Sequence, residues 1–81
     1  MKVFYINNNI SIVCQSQSTR NGFKHIANLI INEVDVLETK ICYINRTWES
    51  FEYESIIDKI KDMATKEGLV NFKEIETENQ I

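Results

Sequence analysis

Few side chains in this sequence could perform chemistry, and the single histidine is the first to consider. His25 could act as a base only if the fold brought it to a nucleophile such as Ser16, Ser18 or a cysteine. No glycine-rich nucleophile elbow surrounds either serine. Gly22 and Gly68 are isolated and cannot build a phosphate-binding loop. We therefore expect no enzymatic activity and no cofactor, with His25 half-buried on a sheet face or, as the alternative, exposed there as a binding residue.

The two cysteines, Cys14 and Cys42, lie in strand-like runs among apolar neighbours. Without a CxxC pair, and with one histidine, neither a metal site nor a disulfide is expected, so both are interpreted as buried free thiols. No apolar run approaches the roughly 20 residues that a membrane span needs, and no signal peptide follows Met1 and Lys2. These features predict a cytoplasmic protein of the host cell that makes no membrane contact.

Six residues are candidates for a binding surface. If the polar residues 15–22 form a loop that folds over the second predicted hairpin, cationic groups would lie together beside an aromatic side chain. A patch of this kind can hold a phosphate, a nucleotide, a nucleic acid or an acidic protein segment. Arginine and tryptophan are also enriched where protein partners bind tightly. The structural alternative for Trp48 is that it closes one end of the sheet against a helix, with Arg46 and Glu49 paired across the junction. The candidates are Arg20, Lys24, His25, Lys40, Arg46 and Trp48.

Charge is divided unevenly along the chain, which has a net charge of −3. Residues 1–46 carry five basic and three acidic residues, whereas residues 47–81 carry four basic and nine acidic ones. This balance differs from the dense Lys/Arg stripe of a nonspecific DNA binder. It favours an acidic interaction face at Glu54, Asp58 and Asp62 that docks on a basic partner.

Two β-hairpins are predicted upstream of these acids. Residues 2–6 and 10–15 flank three asparagines that tolerate tight turns. Residues 23–32 and 36–45 alternate in the same way around a turn at 32–35, and His25 falls in register with Phe23 and Leu29. A helix over 23–32 is the alternative, but β-branched residues are dense there and favour a strand. Residues 15–22 are polar and are read either as a loop or as a strand extension.

A helix is predicted over 52–66, because the apolar residues there recur at helical spacing. Gly68 suits the left-handed position after its end, and Thr47 or Ser50 would cap its start. Residues 69–73 are predicted as a short edge strand and 74–81 as a frayed acidic tail, so the domain covers 1–73. The predicted fold is α+β: an antiparallel sheet of about four strands in two hairpins, with one C-terminal amphipathic helix packed on one face.

Two stretches resemble a pattern found in small proteins of phages, prophages and plasmids. Residues 18–25 read STRNGFKH, and residues 40–55 read KICYINRTWESFEYES. The family pattern has STRxGFxH followed by YxNRTWExFxYxS and then a helix, so the resemblance covers about residues 18–60. It implies a mobile-element origin and brings no activity with it.

Three functions follow as hypotheses. The first is a non-enzymatic phage or mobile-element interaction protein, such as an anti-CRISPR-like counter-defence inhibitor that binds a host defence or nucleic-acid-processing protein. The second is a small nucleotide- or nucleic-acid-binding module that uses the basic candidates. The third is a structural or regulatory accessory protein that forms homo-oligomers, for example a homodimer, through a sheet edge or face.

Overall fold

The computed structural model describes residues 1–20, 22–44 and 50–78, with side chains for 1–20, 22–41 and 53–75. These residues form four strands and two helices, which confirms the α+β class. In chain order they are β1 (Lys2–Tyr5), β2 (Ile10–Thr19), β3 (Gly22–Ile31), β4 (Val34–Ile44), α1 (Ser50–Lys66) and α2 (Phe72–Glu78). The predicted junction at 45–49, with Arg46 and Trp48, lies outside the described residues.

The strands form one antiparallel meander in the order β1-β2-β3-β4. Residues 15–19 of the polar stretch 15–22 extend β2: Ser16 pairs with His25, Gln17 with Lys24 and Thr19 with Gly22. Their backbone groups are satisfied by a partner strand, which a reading of local propensity does not detect. The two predicted hairpins are thereby joined by a third between β2 and β3.

The turn between β3 and β4 is tighter than predicted. It has two central residues, Asn32 and Glu33, whose φ angles are 51° and 69°. Positive φ at both positions gives the mirror-image turn whose twist matches that of the flanking strands. The β3–β4 register shifts between Leu29, which pairs with Leu37, and Ile30, which pairs with Asp35. Because of this shift, Val36 packs against the core, although simple alternation along β4 places it on the other face.

The core lies between one face of the sheet and the helices. Alternating residues of β2 and β3 point to it, and α1 contributes residues at intervals of four. Burying each large aliphatic side chain contributes about 1.5–3 kcal/mol. The buried apolar cluster consists of Ile12, Cys14, Ala27, Leu29, Ile56, Ile60, Ala64 and Phe72.

The end of α1 follows the predicted chemistry. Gly68 has a φ of 72°, its N–H donates to the Thr65 carbonyl at 3.1 Å, and the Leu69 N–H donates to the Ala64 carbonyl at 2.9 Å. This pair of bonds is a Schellman motif, which satisfies carbonyl groups that the helix leaves open. The prediction for Gly68 is therefore confirmed.

The predicted edge strand at 69–73 is wrong, because α2 begins at Phe72. The Asn71 Oδ1 accepts the Glu74 N–H at 3.2 Å and caps this helix. Phe72 is buried in the core, which stabilises a helix too short to form alone. The predicted single helix is therefore two, and residues 74–78 of the predicted frayed tail are helical; residues 79–81 lie outside the described residues.

Candidate functional site

His25 lies on the core face of β3 and is fully buried, with 0% of its surface exposed. Its ring is parallel to that of Phe23, with 6.4 Å between centroids and 2° between planes. Ser16 is its partner on β2, but this serine is exposed while the imidazole is not. The prediction that His25 is half-buried, or exposed as a binding residue, is therefore wrong: its imidazole is enclosed by the packing of the core face.

The side of the sheet opposite the core face is here called the open face. None of its apolar residues belongs to the core cluster or to the side chains packed on it, as far as the chain is described. Strand register places fourteen described side chains on it: Val3, Tyr5, Ser11, Val13, Gln15, Gln17, Thr19, Lys24, Ile26, Asn28, Ile30, Asp35, Glu38 and Lys40.

Lys24 and Lys40 are neighbours on the open face. Lys40 is the β4 partner of Ile26, two residues along β3 from Lys24, so the two lysines lie on a diagonal. Arg20 is exposed in the turn that follows β2. The structure thus brings Lys24 and Lys40 together on the open face. His25 lies on the other side of the sheet and does not share a surface with them.

Asn28 organises the acidic end of the open face. Its Nδ2 donates to the Asp35 Oδ2 at 3.0 Å and to the Glu38 Oε2 at 3.3 Å. The Asn28 hydrogen bond, followed by the bond from Lys40, holds the pKa of the Glu38 carboxyl below its ordinary value. The Lys40 Nζ lies 3.4 Å from the Glu38 Oε1. Sequence reasoning missed this network, because the β3–β4 register that assembles it contains a shift.

The three acids of the predicted interaction face lie on α1. Glu54, Asp58 and Asp62 recur every fourth residue, are all exposed, and therefore form one line along the helix. We call these three residues the acidic stripe. Lys66 pairs with Asp62 at 2.9 Å near the end of the helix.

A third surface lies where two turns meet at one end of the sheet. The Asn7 Oδ1 accepts the N–H groups of Asn9 and Ile10 at 2.8 and 2.9 Å, and the Asn32 N–H donates to the Asn9 carbonyl at 2.8 Å. The asparagine run signals the first turn, but its contact with the second depends on sheet order. A depression of about 180 Å³ there is lined by Tyr5, Asn7, Asn8, Asn9, Ile10, Ser11, Ile30 and Glu33.

Cys14 is a buried free thiol, as predicted. Burial raises the pKa of this thiol, and the charge of Lys2 opposes the rise. Among the described residues, no three His, Cys, Asp or Glu side chains are grouped as a metal ion requires. In the same part of the chain, no helix combines the length and apolar character needed to cross a membrane.

Comparisons with known proteins give no relative. No family model, curated protein or solved structure matches this chain.

Proposed function

We propose that this is a non-enzymatic interaction protein of a phage or other mobile element, which binds and blocks a host defence or nucleic-acid-processing protein in an anti-CRISPR-like manner. The observation that carries the proposal is the acidic stripe on α1. The resemblance of residues 18–25 and 40–55 to proteins of phages, prophages and plasmids supports the assignment to mobile elements.

The packing of α1 on the core turns the stripe outward. On the opposite side of α1, Ile56, Ile60 and Ala64 are fully buried in the core, so the helix cannot rotate without exposing them. The stripe extends over two turns, or about 12 Å. A fixed row of carboxylates can face a row of Lys or Arg residues on a partner without paying the entropy of ordering a flexible segment.

Electrostatics favours a basic partner such as a nucleic-acid-processing protein. The excess of acids in residues 47–81 adds to the field of the stripe. Fields of this kind steer oppositely charged partners and increase the association rate, and their effect falls as salt screens the charges. A surface that binds nucleic acid is basic, so the stripe is complementary to such a surface and would compete with its nucleic acid.

The test starts with a pull-down from host lysate, identification of the captured protein, and measurement of its affinity with purified components. The triple variant E54K/D58K/D62K should weaken binding at least about tenfold, because like charges would then oppose the partner. The control E33K/E67K/E74K makes the same change in net charge at three other exposed acids. Unchanged affinity in the stripe variant would refute the proposal, as would an equal loss in both variants.

The second candidate is a nucleotide- or nucleic-acid-binding module, which is favoured by the diagonal placement of Lys24 and Lys40 on the open face. A ligand bound there should raise the melting temperature in proportion to its concentration over its Kd. The double variant K24E/K40E should abolish that shift. Absence of any shift with mono-, di- and cyclic nucleotides, and of oligonucleotide retention at low salt, would argue against this candidate.

A further inference from the structure

The open face combines five apolar residues with charged residues of β3 and β4 and with the polar residues Ser11, Gln15, Gln17 and Thr19 of β2. Val3, Val13 and Ile30 are half-buried, and Tyr5 is 79% exposed. Ile26, on inner strand β3, is 6% exposed and lies between Gln15 and Lys40 in the register. The apolar residues come from β1, β2 and β3, whereas the acids Asp35 and Glu38 come from the edge strand β4. Apolar residues bordered by polar and charged ones are the arrangement of a protein interface.

Charge on this face is separated along the strands. Lys40 is level with Ile26 and Lys24 lies one step further, so the positive charges occupy one end. Glu38 is level with Asn28, and Asp35 is level with Ile30, so the negative charges occupy the other end. Two successive residues on one face of a strand are about 6.6 Å apart. The Lys40 Nζ lies 3.4 Å from the Glu38 Oε1 of the same chain, so these two charges are paired in the middle of the group, and Lys24 and Asp35 mark its two ends.

We propose that the open face binds a second copy of this chain, face to face and with antiparallel strands, as an isologous dimer. A two-fold axis that lies in the interface and crosses the strands reverses their direction. It therefore places Lys24 and Lys40 of each copy over Asp35 and Glu38 of the other, and both sets of contacts form at once. The occupant is inferred from this self-complementarity, because a partner of one charge sign would be repelled by half of the face.

The size of the face agrees with that occupant. The four strands have 4, 10, 10 and 11 residues. At about 3.3 Å per residue and about 4.8 Å between strands, they give a surface of roughly 550 Å². A standard stable interface buries about 800 Å² of accessible area on each partner, and accessible area exceeds the flat projection because side chains protrude. Packed sheets lie about 10 Å apart, a separation that side chains such as Ile26, Ile30 and Tyr5 can fill.

The edge of β4 offers a less suitable route to pairing. The Lys59 Nζ, from α1, donates to the main-chain carbonyl of Lys40 at 3.0 Å. A cation bound to an edge carbonyl occupies an acceptor that an incoming strand would need, and charged side chains are a common protection of sheet edges. The apolar residues of the open face have no such protection.

The dimer does not depend on the proposed function, because the acidic stripe lies on α1, on the opposite side of the sheet. The experiment is sedimentation of the full chain across concentration. The unmodified chain should dimerise, and its dimer Kd should rise with salt. In K24E/K40E the whole face becomes acidic, and in D35K/E38K it becomes basic. Each charge contact occurs twice in an isologous dimer, so each variant alone should raise the Kd about 100-fold.

Mixing the two variants separates a broken interface from a broken fold. An equimolar mixture of K24E/K40E and D35K/E38K should form a heterodimer, which also shows that both variants are folded. The control K66E/K73E repeats the charge change of the first variant away from the open face and should dimerise like the unmodified chain. A chain that stays monomeric at millimolar concentration would overturn the proposal, as would a K24E/K40E variant with unchanged dimer affinity.

Discussion

Replacing Glu33 with glycine should stabilise the protein, because this residue holds a backbone conformation that suits glycine. Its φ is 69° at the second central position of the β3–β4 turn. An L-residue with a Cβ atom pays about 1–2 kcal/mol in this left-handed region, and glycine pays almost nothing. Glycine in turn adds about 0.4–1 kcal/mol of conformational entropy to the unfolded chain. The net gain in the free energy of unfolding is therefore about 0.5–1 kcal/mol.

Thermal unfolding followed by circular dichroism measures this gain. For a domain of this size, about 1 kcal/mol shifts Tm by about 4–8 °C, so Glu33→Gly should raise Tm by about 2–8 °C. Glu33→Ala is the matched control, because it removes the same carboxylate but keeps a Cβ atom at positive φ. Asn32→Gly is a second control with a smaller expected gain, since asparagine tolerates the φ of 51° found there.

The outcome of the two Glu33 variants decides between backbone and side-chain causes. If Glu33→Ala raised Tm as much as Glu33→Gly, the gain would come from removal of the carboxylate rather than from relief of backbone strain. A fall in Tm for Glu33→Gly would contradict the reasoning, because it would show that the turn relies on contacts of the Glu33 side chain.

Two further predictions concern the core. Ile60→Ala should lower the free energy of unfolding, measured by urea titration, by about 2–5 kcal/mol, because it leaves a cavity between α1 and the sheet. The control Leu69→Ala, at a residue 41% exposed, should lower it far less. Equal losses in the two variants would refute this account of the core. In a Cys42→Ser background, Cys14 should react slowly with thiol reagents until the protein unfolds. Fast labelling of the native chain would contradict the burial of Cys14. Because burial raises the pKa of Cys14, the thiol's contribution to the free energy of unfolding is present below the ordinary thiol pKa and declines as the pH rises above that value.

Much of the fold could be predicted from the order of residues. Alternation placed His25 and Leu29 on one face of β3, and the structure makes that face the core side; helical spacing identified the buried face of α1. Gly68 marked the end of that helix because left-handed backbone strongly favours glycine. These features are local: each follows from side-chain period or from the conformational preference of one residue.

Other features depended on partners distant in sequence. Residues 15–19 are strand because β3 supplies their hydrogen bonds, and their own composition does not show this. Residues 72–78 are helical because Asn71 caps them and the core receives Phe72, although local propensity predicted a strand from Leu69 onward. In both places tertiary contacts outweighed weak intrinsic preferences.

The candidate surfaces divide in the same way. The acidic stripe was readable from the sequence, since Glu54, Asp58 and Asp62 need only a helix to form one line. The open face was not, because its charge separation requires the β3–β4 register with its shift at Leu29 and Ile30. Sequence by itself determined which residues carry charge and which are apolar. Only the packed sheet decided which of them share a surface, because a one-residue change of register moves a side chain to the opposite face.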